Sequence, residues 1–286
     1  MVLAFLLSGA FWTGDVWLRW LRAAPPGAVA VAFHASNTTP AEAAAIADWA
    51  GRVARDGHPV AAVPPRPTAW AHPSLLRAQL ALFDTCAAAF PAASHFLLLS
   101  EKCVPLVPPA RALAFCASPA MAGRSAFNFY APVNAAALAP LRADLTARFG
   151  VEYRAGGQFA LLHAGQYAAV AATAAAIVAA YEFARDWAGA AAASNAAVPL
   201  DEWVLPSCLW SSAGPTGWHY AEVVLAHFAP CAVRASFLPP GPVGVARLAA
   251  AAARAARDCH WLAARKVAPT AEVVGVLEAA GVFNKG

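Results

Sequence analysis

Few residues of this chain are of a type and in a place to do chemistry. Ser100-Glu101-Lys102 follows Phe96–Leu99, the most apolar short run in the sequence. Asp201 and Glu202 stand side by side ahead of Leu205-Pro206-Ser207, and Arg265-Lys266 pair two cations near the end. His34 closes a second apolar run, Val29–Phe33. A carboxylate in a cleft can take a proton from a hydroxyl, and fixed cations can hold a negative charge that develops opposite it. Read by spacing alone, each residue also has a plain role. Glu202 fits a helix start, where the macrodipole favours a carboxylate, and Asp201 fits a cap or a supporting group. Glu101 fits a turn paired with Lys102 or Arg111. His34 fits a structural strand end, and Arg265-Lys266 a solvated pair.

The elements that must position these groups follow from periodicity. Val2–Leu7, Val29–Phe33, Val60–Val63 and Phe96–Leu99 are short apolar runs that predict buried strands. Helical stretches separate them: Trp17–Leu21, then Pro40 to about Arg55 behind the capping pattern Thr39-Pro40-x-Glu42, then Pro73–Phe90. Strand alternating with helix predicts a mostly parallel sheet covered on both faces. Ligands of such sheets bind beyond the carboxyl ends of the strands, which puts His34 and Ser100-Glu101 at the predicted mouth. The second half is less regular. Strands are expected at Phe127–Tyr130 and Phe159–Leu162, and helices at Gln166–Trp187, from Asp201 toward Leu209, Val243–Arg257 and Thr270–Ala280.

Several chemistries lack their motif. The chain has no G-x-G-x-x-G after its first strand, no G-x-x-x-x-G-K-[ST], no G-x-S-x-G and no Asp-x-Asp. Its six cysteines, Cys86, Cys103, Cys116, Cys208, Cys231 and Cys259, include no C-x-x-C pair, so a structural zinc site is not expected. Apolar residues make up 60% and charged residues 13% of 286, which excludes a disordered chain. The net charge of +4 comes without a Lys/Arg-rich tract, so no nucleic-acid partner is expected. Met1–Trp12 is too short and lacks the basic flank of a leader. Tyr167–Tyr181, mostly alanine, falls short of the ~20 residues of a span. A soluble chain with a buried helix there, and no membrane span, is the expectation.

Four stretches, in order, resemble the core-2/I-branching β-1,6-N-acetylglucosaminyltransferase family and its plant relatives. Phe96–Leu106, FLLLSEKCVPL, is similar to F-V-L-L-S-[DE]-S-C-x-P-L, with Trp70 and Ser74–Leu82 resembling the segment before it. Tyr153–Leu162, YRAGGQFALL, resembles W-R-K-G-S-Q-W-F-x-L, with Ala155 and Gly157 replacing lysine and serine. Asp201–Ser207, DEWVLPS, resembles D-E-H-Y-L-P-T, with Trp203 for histidine, and Leu262–Val267, LAARKV, resembles L-F-A-R-K-F. His163 and Ala164 depart from the residues that often follow the second stretch. These departures bear on the acceptor more than on the reaction.

The resemblance implies a single GT-A-like α/β fold. Its nucleotide-sugar half would be 1–125 and its acceptor half 126–286. It implies transfer of a sugar, N-acetylglucosamine first and xylose second, from a UDP donor to a glycan or glycoprotein hydroxyl, with inversion and without a metal or other cofactor. Glu202 is then the general base. Lys266 contacts the diphosphate, with Arg234, Arg265 and His34 also on the donor. Glu101, Asp201, Trp203 and Arg154 are candidates on the sugar or acceptor side, with Arg154 better suited to supporting the Gly156-Gly157 turn. The family works in the Golgi lumen behind an N-terminal anchor, so a chain starting almost at its first strand is either an incomplete gene model or an unusual soluble member. Two other readings compete. One is a degenerate member that binds without turnover. The other is a purely structural alanine-rich protein, with no pocket shared by Glu202 and Lys266.

Overall fold

Two runs of seven residues with hardly a polar side chain, β1 (Val2–Ser8) and β2 (Ala30–Ser36), lie side by side as parallel strands in the computed structural model. That model describes residues 1–69, 72–127, 129–130, 138–182, 200–214, 218–220, 224–225, 242–257, 262–264, 267 and 269–284. β3 (Val60–Val63) extends the sheet beyond β2, and β4 (His95–Ser100) pairs with the other side of β1. All four are parallel. Val2–Phe5 and Phe96–Leu99 are buried almost completely, as expected of strands covered on both faces. The crossovers are α1 (Gly14–Ala23), α2 (Pro40–Arg55) and α3 (Pro73–Ala89). α2 starts with the expected capping box: the Glu42 backbone donates to Thr39 Oγ1 at 3.3 Å, and the Thr39 backbone donates to the Glu42 carboxylate at 2.7 Å.

The chain then places β5 (Val104–Pro105), α4 (Pro109–Cys116), β6 (Ser125–Phe127), β7 (Phe129–Tyr130), α5 (Ala139–Phe149), β8 (Ala155–Gly156), β9 (Leu161–His163) and α6 (Ala164–Glu182). A 3-10 turn at Leu200–Glu202 leads into α7 (Val204–Ala213). β10 (Trp218–Tyr220), β11 (Val224–Leu225), α8 (Pro242–Arg257), β12 (Ala263–Ala264) and α9 (Ala271–Ala279) follow. The main sheet runs β10-β6-β9-β4-β1-β2-β3. β9 is antiparallel to both its neighbours and β10 is parallel to β6, so β9 alone runs against the rest. The mostly parallel α/β architecture expected from the sequence is the one observed.

Four details differ from the sequence reading. The strand expected at Phe127–Tyr130 splits between the main sheet and a two-stranded β7-β8 ribbon. The one expected at Phe159–Leu162 is centred later, although the Ala160 carbonyl still accepts from the Leu98 N–H at 3.0 Å. The helix expected from Asp201 starts at Val204. Pro206 has no N–H to donate, so it suits the first turn of a helix and not its interior. The helix expected to be buried at Tyr167–Tyr181 runs from Ala164 to Glu182, and only a third of its most apolar 18-residue window is buried. By length and composition that window could cross a membrane. Its inner face packs on α3 and α7, where the Tyr167 hydroxyl bonds the Leu80 carbonyl at 3.1 Å and Asp84 at 2.6 Å. Its outer face is alanine: Ala168, Ala169, Ala172, Ala175, Ala176 and Ala179.

Candidate functional site

The register brings one row of residues across the sheet near its carboxyl edge. Ser100 lies opposite Leu6, Leu6 opposite His34, and His34 opposite Val63. Ser100 and His34 are therefore two strand spacings apart, roughly 9.5 Å. β4 ends in a tight turn. The Cys103 N–H donates to the Ser100 carbonyl at 3.1 Å, and the Lys102 N–H to Ser100 Oγ at 3.4 Å. The first helix pins the turn from behind: Thr13 Oγ1 donates to the Glu101 carbonyl at 3.1 Å, Trp17 Nε1 to the Cys103 carbonyl at 2.7 Å, and Trp20 Nε1 to the Val107 carbonyl at 2.7 Å. Buried carbonyls are costly without such donors, so the two indoles fix the segment that carries Glu101. The Glu101 carboxylate is mostly covered, with Lys102 Nζ 3.9 Å from its Oε1.

His34 is fully buried. Its Nε2 accepts from the Arg66 backbone N–H at 3.2 Å, so the proton sits on Nδ1, and Nδ1 has no partner among the described residues. Burial lowers its pKa most and the Arg66 charge lowers it further. At neutral pH His34 is a neutral ring offering one unused N–H near the mouth. Beside it the strand ends are tied by polar side chains. Ser36 Oγ lies 2.7 Å from Thr68 Oγ1, and Asn37, held at a φ of 54°, donates to the Thr68 carbonyl at 2.9 Å.

A second cluster forms where the Tyr153 and Asp201 stretches meet. Ser207 Oγ accepts from the Arg154 N–H at 2.8 Å and donates to the Arg154 carbonyl at 3.1 Å. One helical turn on, Ser211 Oγ accepts from the Glu152 N–H at 2.8 Å. Two stretches distant in sequence thus form one unit. The Arg154 guanidinium bonds Glu152 at 2.6 Å and lies 4.0 Å over the Trp210 ring, while Trp210 Nε1 donates to Glu152 at 2.9 Å. Arg154 therefore holds this joint together. Glu202 is half-buried at the end of the 3-10 turn, and Asp201 is buried before it. The N-cap position of α7 falls on Trp203, so Asp201 does not cap that helix.

Trp203 corrects the sequence reading. It is fully buried, its ring 5.7 Å from Tyr153 and 5.9 Å from Tyr181, with no face left for a sugar. Tyr153, which sequence reasoning passed over, feels the charge of Glu202. Its hydroxyl is buried without a partner among the described residues. Burial raises its pKa most, the Arg142 charge opposes that, and the Glu202 charge adds to it. Its place at the head of Tyr153–Leu162 was the only available signal.

The donor-side calls on Lys266, Arg265 and Arg234 lie outside the described residues, as does Trp70. Their flanks are informative. Ala264 pairs with Val104, the Leu106 N–H donates to the Leu262 carbonyl at 2.9 Å, and the Val267 N–H donates to the Lys102 carbonyl at 3.1 Å. Among the described residues no three His, Cys, Asp or Glu side chains group as metal ligands. Cys86, Cys103, Cys116 and Cys208 are buried thiols. Burial pushes the Cys86 and Cys208 thiols up to about 12 and Cys116 to about 11, which makes them core residues and not nucleophiles.

No family model and no curated protein matches the chain. Among solved structures it is similar to the apo form of WbbM, a bifunctional glycosyltransferase, at 8% identity and a TM-score of 0.44. That alignment covers 92% of this chain and 45% of WbbM, so the chain spans less than half the length of that protein. It is also similar to the apo form of mouse xyloside xylosyltransferase 1, at 10% identity and a TM-score of 0.33, covering 79% of this chain and 88% of that one. At these scores neither likeness fixes the fold or the reaction of this chain.

Proposed function

We propose that the chain is a GT-A-like, inverting, metal-independent glycosyltransferase. Its donor is a UDP-sugar, UDP-N-acetylglucosamine first and UDP-xylose second, and its acceptor is a glycan or glycoprotein hydroxyl. One observation carries this reading. The four stretches that resemble the core-2/I-branching family are joined in space as well as ordered in sequence. Phe96–Leu106 pairs with Leu262–Val267 through Val104 and Lys102, and Tyr153–Leu162 is bonded to Asp201–Ser207 through Ser207. A chance match to scattered motifs predicts no such pairing.

The chemistry then reads as follows. The acceptor oxygen attacks the anomeric carbon as the bond to the diphosphate breaks. Glu202 takes the hydroxyl proton, and the Lys266, Arg265 and Arg234 cations meet the charge left on UDP. The mouth offers Ser100-Glu101-Lys102, one carboxylate beside a cation, which is a poor set for a divalent metal. The resemblance places the reaction in the Golgi lumen. A thermal-shift screen tests the donor directly. Uridine diphosphate sugars at 100 times Kd should stabilise by about 2.7 kcal/mol, with and without chelator. No shift with any uridine nucleotide, or a shift and activity that chelator abolishes and manganese restores, would overturn the reading.

A further inference from the structure

The sequence holds one N-x-[ST] triplet, Asn37-Thr38-Thr39, and its middle residue is not proline. Such a triplet is the acceptor pattern for an N-linked glycan where it lies on a surface loop of a chain that enters the secretory pathway. The fold puts this one on such a loop. Asn37 is the first residue past β2, Thr39 caps α2, and both are exposed. Asn37 stands at a φ of 54°, a left-handed conformation that asparagine adopts more readily than most residues with a side chain. The hydrogen bonds leave room for a substituent. The Asn37 amide donates to the Thr68 carbonyl at 2.9 Å and to Ser8 Oγ at a weak 3.4 Å. An N-linked sugar replaces one of the two amide hydrogens, so the shorter bond can stay while the longer one is given up. The crossovers from β1 and β2 lead toward β3, and the one from β3 returns to β4 on the other side of β1. The crevice where a ligand is expected therefore lies between β1 and β4, and a glycan on Asn37 flanks it from the β2 side.

The order of synthesis favours the modification as well. In the folded chain Thr39 Oγ1 is engaged in the capping box with Glu42, and the Asn37 amide is tied to Thr68. Thr68 follows Asn37 by 31 residues, so at about 5–20 residues per second the amide stays without that partner for roughly 2–6 s after it is made. We propose that Asn37 is an N-glycan acceptor, modified as the chain enters the lumen and before α2 and the Thr68 segment close around the triplet. Its amide nitrogen attacks C1 of an oligosaccharide carried on a polyprenyl diphosphate. The nitrogen loses a proton, the bond from C1 to the diphosphate oxygen breaks, and the polyprenyl diphosphate leaves. The assignment rests on the lumenal compartment of the transferase reading.

The test has two arms. The first translates the full chain behind a cleavable signal peptide with microsomes present and takes the protease-protected product. Peptide N-glycosidase in oxygen-18 water should leave a labelled aspartate at position 37, read by peptide mass spectrometry. Thr39→Ser should keep the label, whereas Asn37→Gly and Thr39→Ala should lose it. Glycine suits the positive φ, and because transfer precedes folding a variant that folds poorly still reports. Protected chain with Asn37 unmodified, or a label that survives Thr39→Ala, would overturn the acceptor and leave the compartment untouched. The second arm takes the chain from the cells that make it. Label at position 37 there supports acceptor and compartment together. Unmodified Asn37 there, with the first arm positive, would sink the lumenal compartment and leave the acceptor standing.

Discussion

Ser207 and Ser211 offer an internal comparison of what joins the Glu202 turn to the rest of the site. Both lie on one face of α7, one turn apart, and each accepts a backbone N–H from the Glu152–Arg154 segment at 2.8 Å. Ser207 is fully buried and also donates to the Arg154 carbonyl, whereas Ser211 is exposed. Ser207→Ala strips partners from an N–H and a carbonyl facing buried side chains, which should cost about 2–3 kcal/mol. Ser211→Ala leaves an N–H that water can reach, at about 0.5–1 kcal/mol. Alanine is the better helix former at both sites, so that gain cancels between them. The difference, about 1–2.5 kcal/mol, corresponds to a gap of roughly 2–10 °C in Tm for a domain of this size. Calorimetry on the two variants measures it, and Ser207→Ala should also lower transfer by loosening Glu202. Equal Tm shifts would refute the idea that Ser207 is the buried clamp between the two stretches.

Tyr153→Phe should leave Tm unchanged or raise it, because it removes a buried hydroxyl without a partner among the described residues; a loss above about 1.5 kcal/mol would show that the hydroxyl is bonded. His34, His95 and His163 all have pKa values lowered by burial. Their folded values lie below the unfolded value near 6.5, so the stability they contribute is complete above about 6.5 and is lost as pH falls through the folded values. Tm measured from pH 7.5 to 5 should therefore decline, and a flat profile would contradict the neutral histidines. Lys266→Ala should weaken UDP binding at least tenfold more than uridine binding by calorimetric titration; equal losses would remove Lys266 from the diphosphate.

The parallel half of the fold was legible because its signals are local. Val2–Leu7 and Phe96–Leu99 are apolar without alternation, and Thr39-Pro40-x-Glu42 names a helix start from four residues. Ser100-Glu101 could be placed at the mouth by that logic alone. Where the outcome depended on distant partners, the sequence was silent. β7 and β8 are two residues each, and only their pairing makes them strands. Trp203 and Trp12 are the same residue type in apolar surroundings, yet tertiary packing buries the first between Tyr153 and Tyr181 and leaves the second in water. The alanine face of α6 carries no polar signal to mark it as exposed. Ser207 reads as the last letter of a motif until the Arg154 backbone is seen against it.

The central claim is that Glu202 accepts the proton of an attacking hydroxyl. Glu202→Gln keeps the shape and hydrogen-bonding capacity of the side chain and removes the base. Single-turnover transfer from UDP-N-acetylglucosamine or UDP-xylose to an acceptor glycan should fall by about 10²–10⁴, with UDP binding and Tm close to those of the unsubstituted chain. Turnover near the unsubstituted rate would contradict the account.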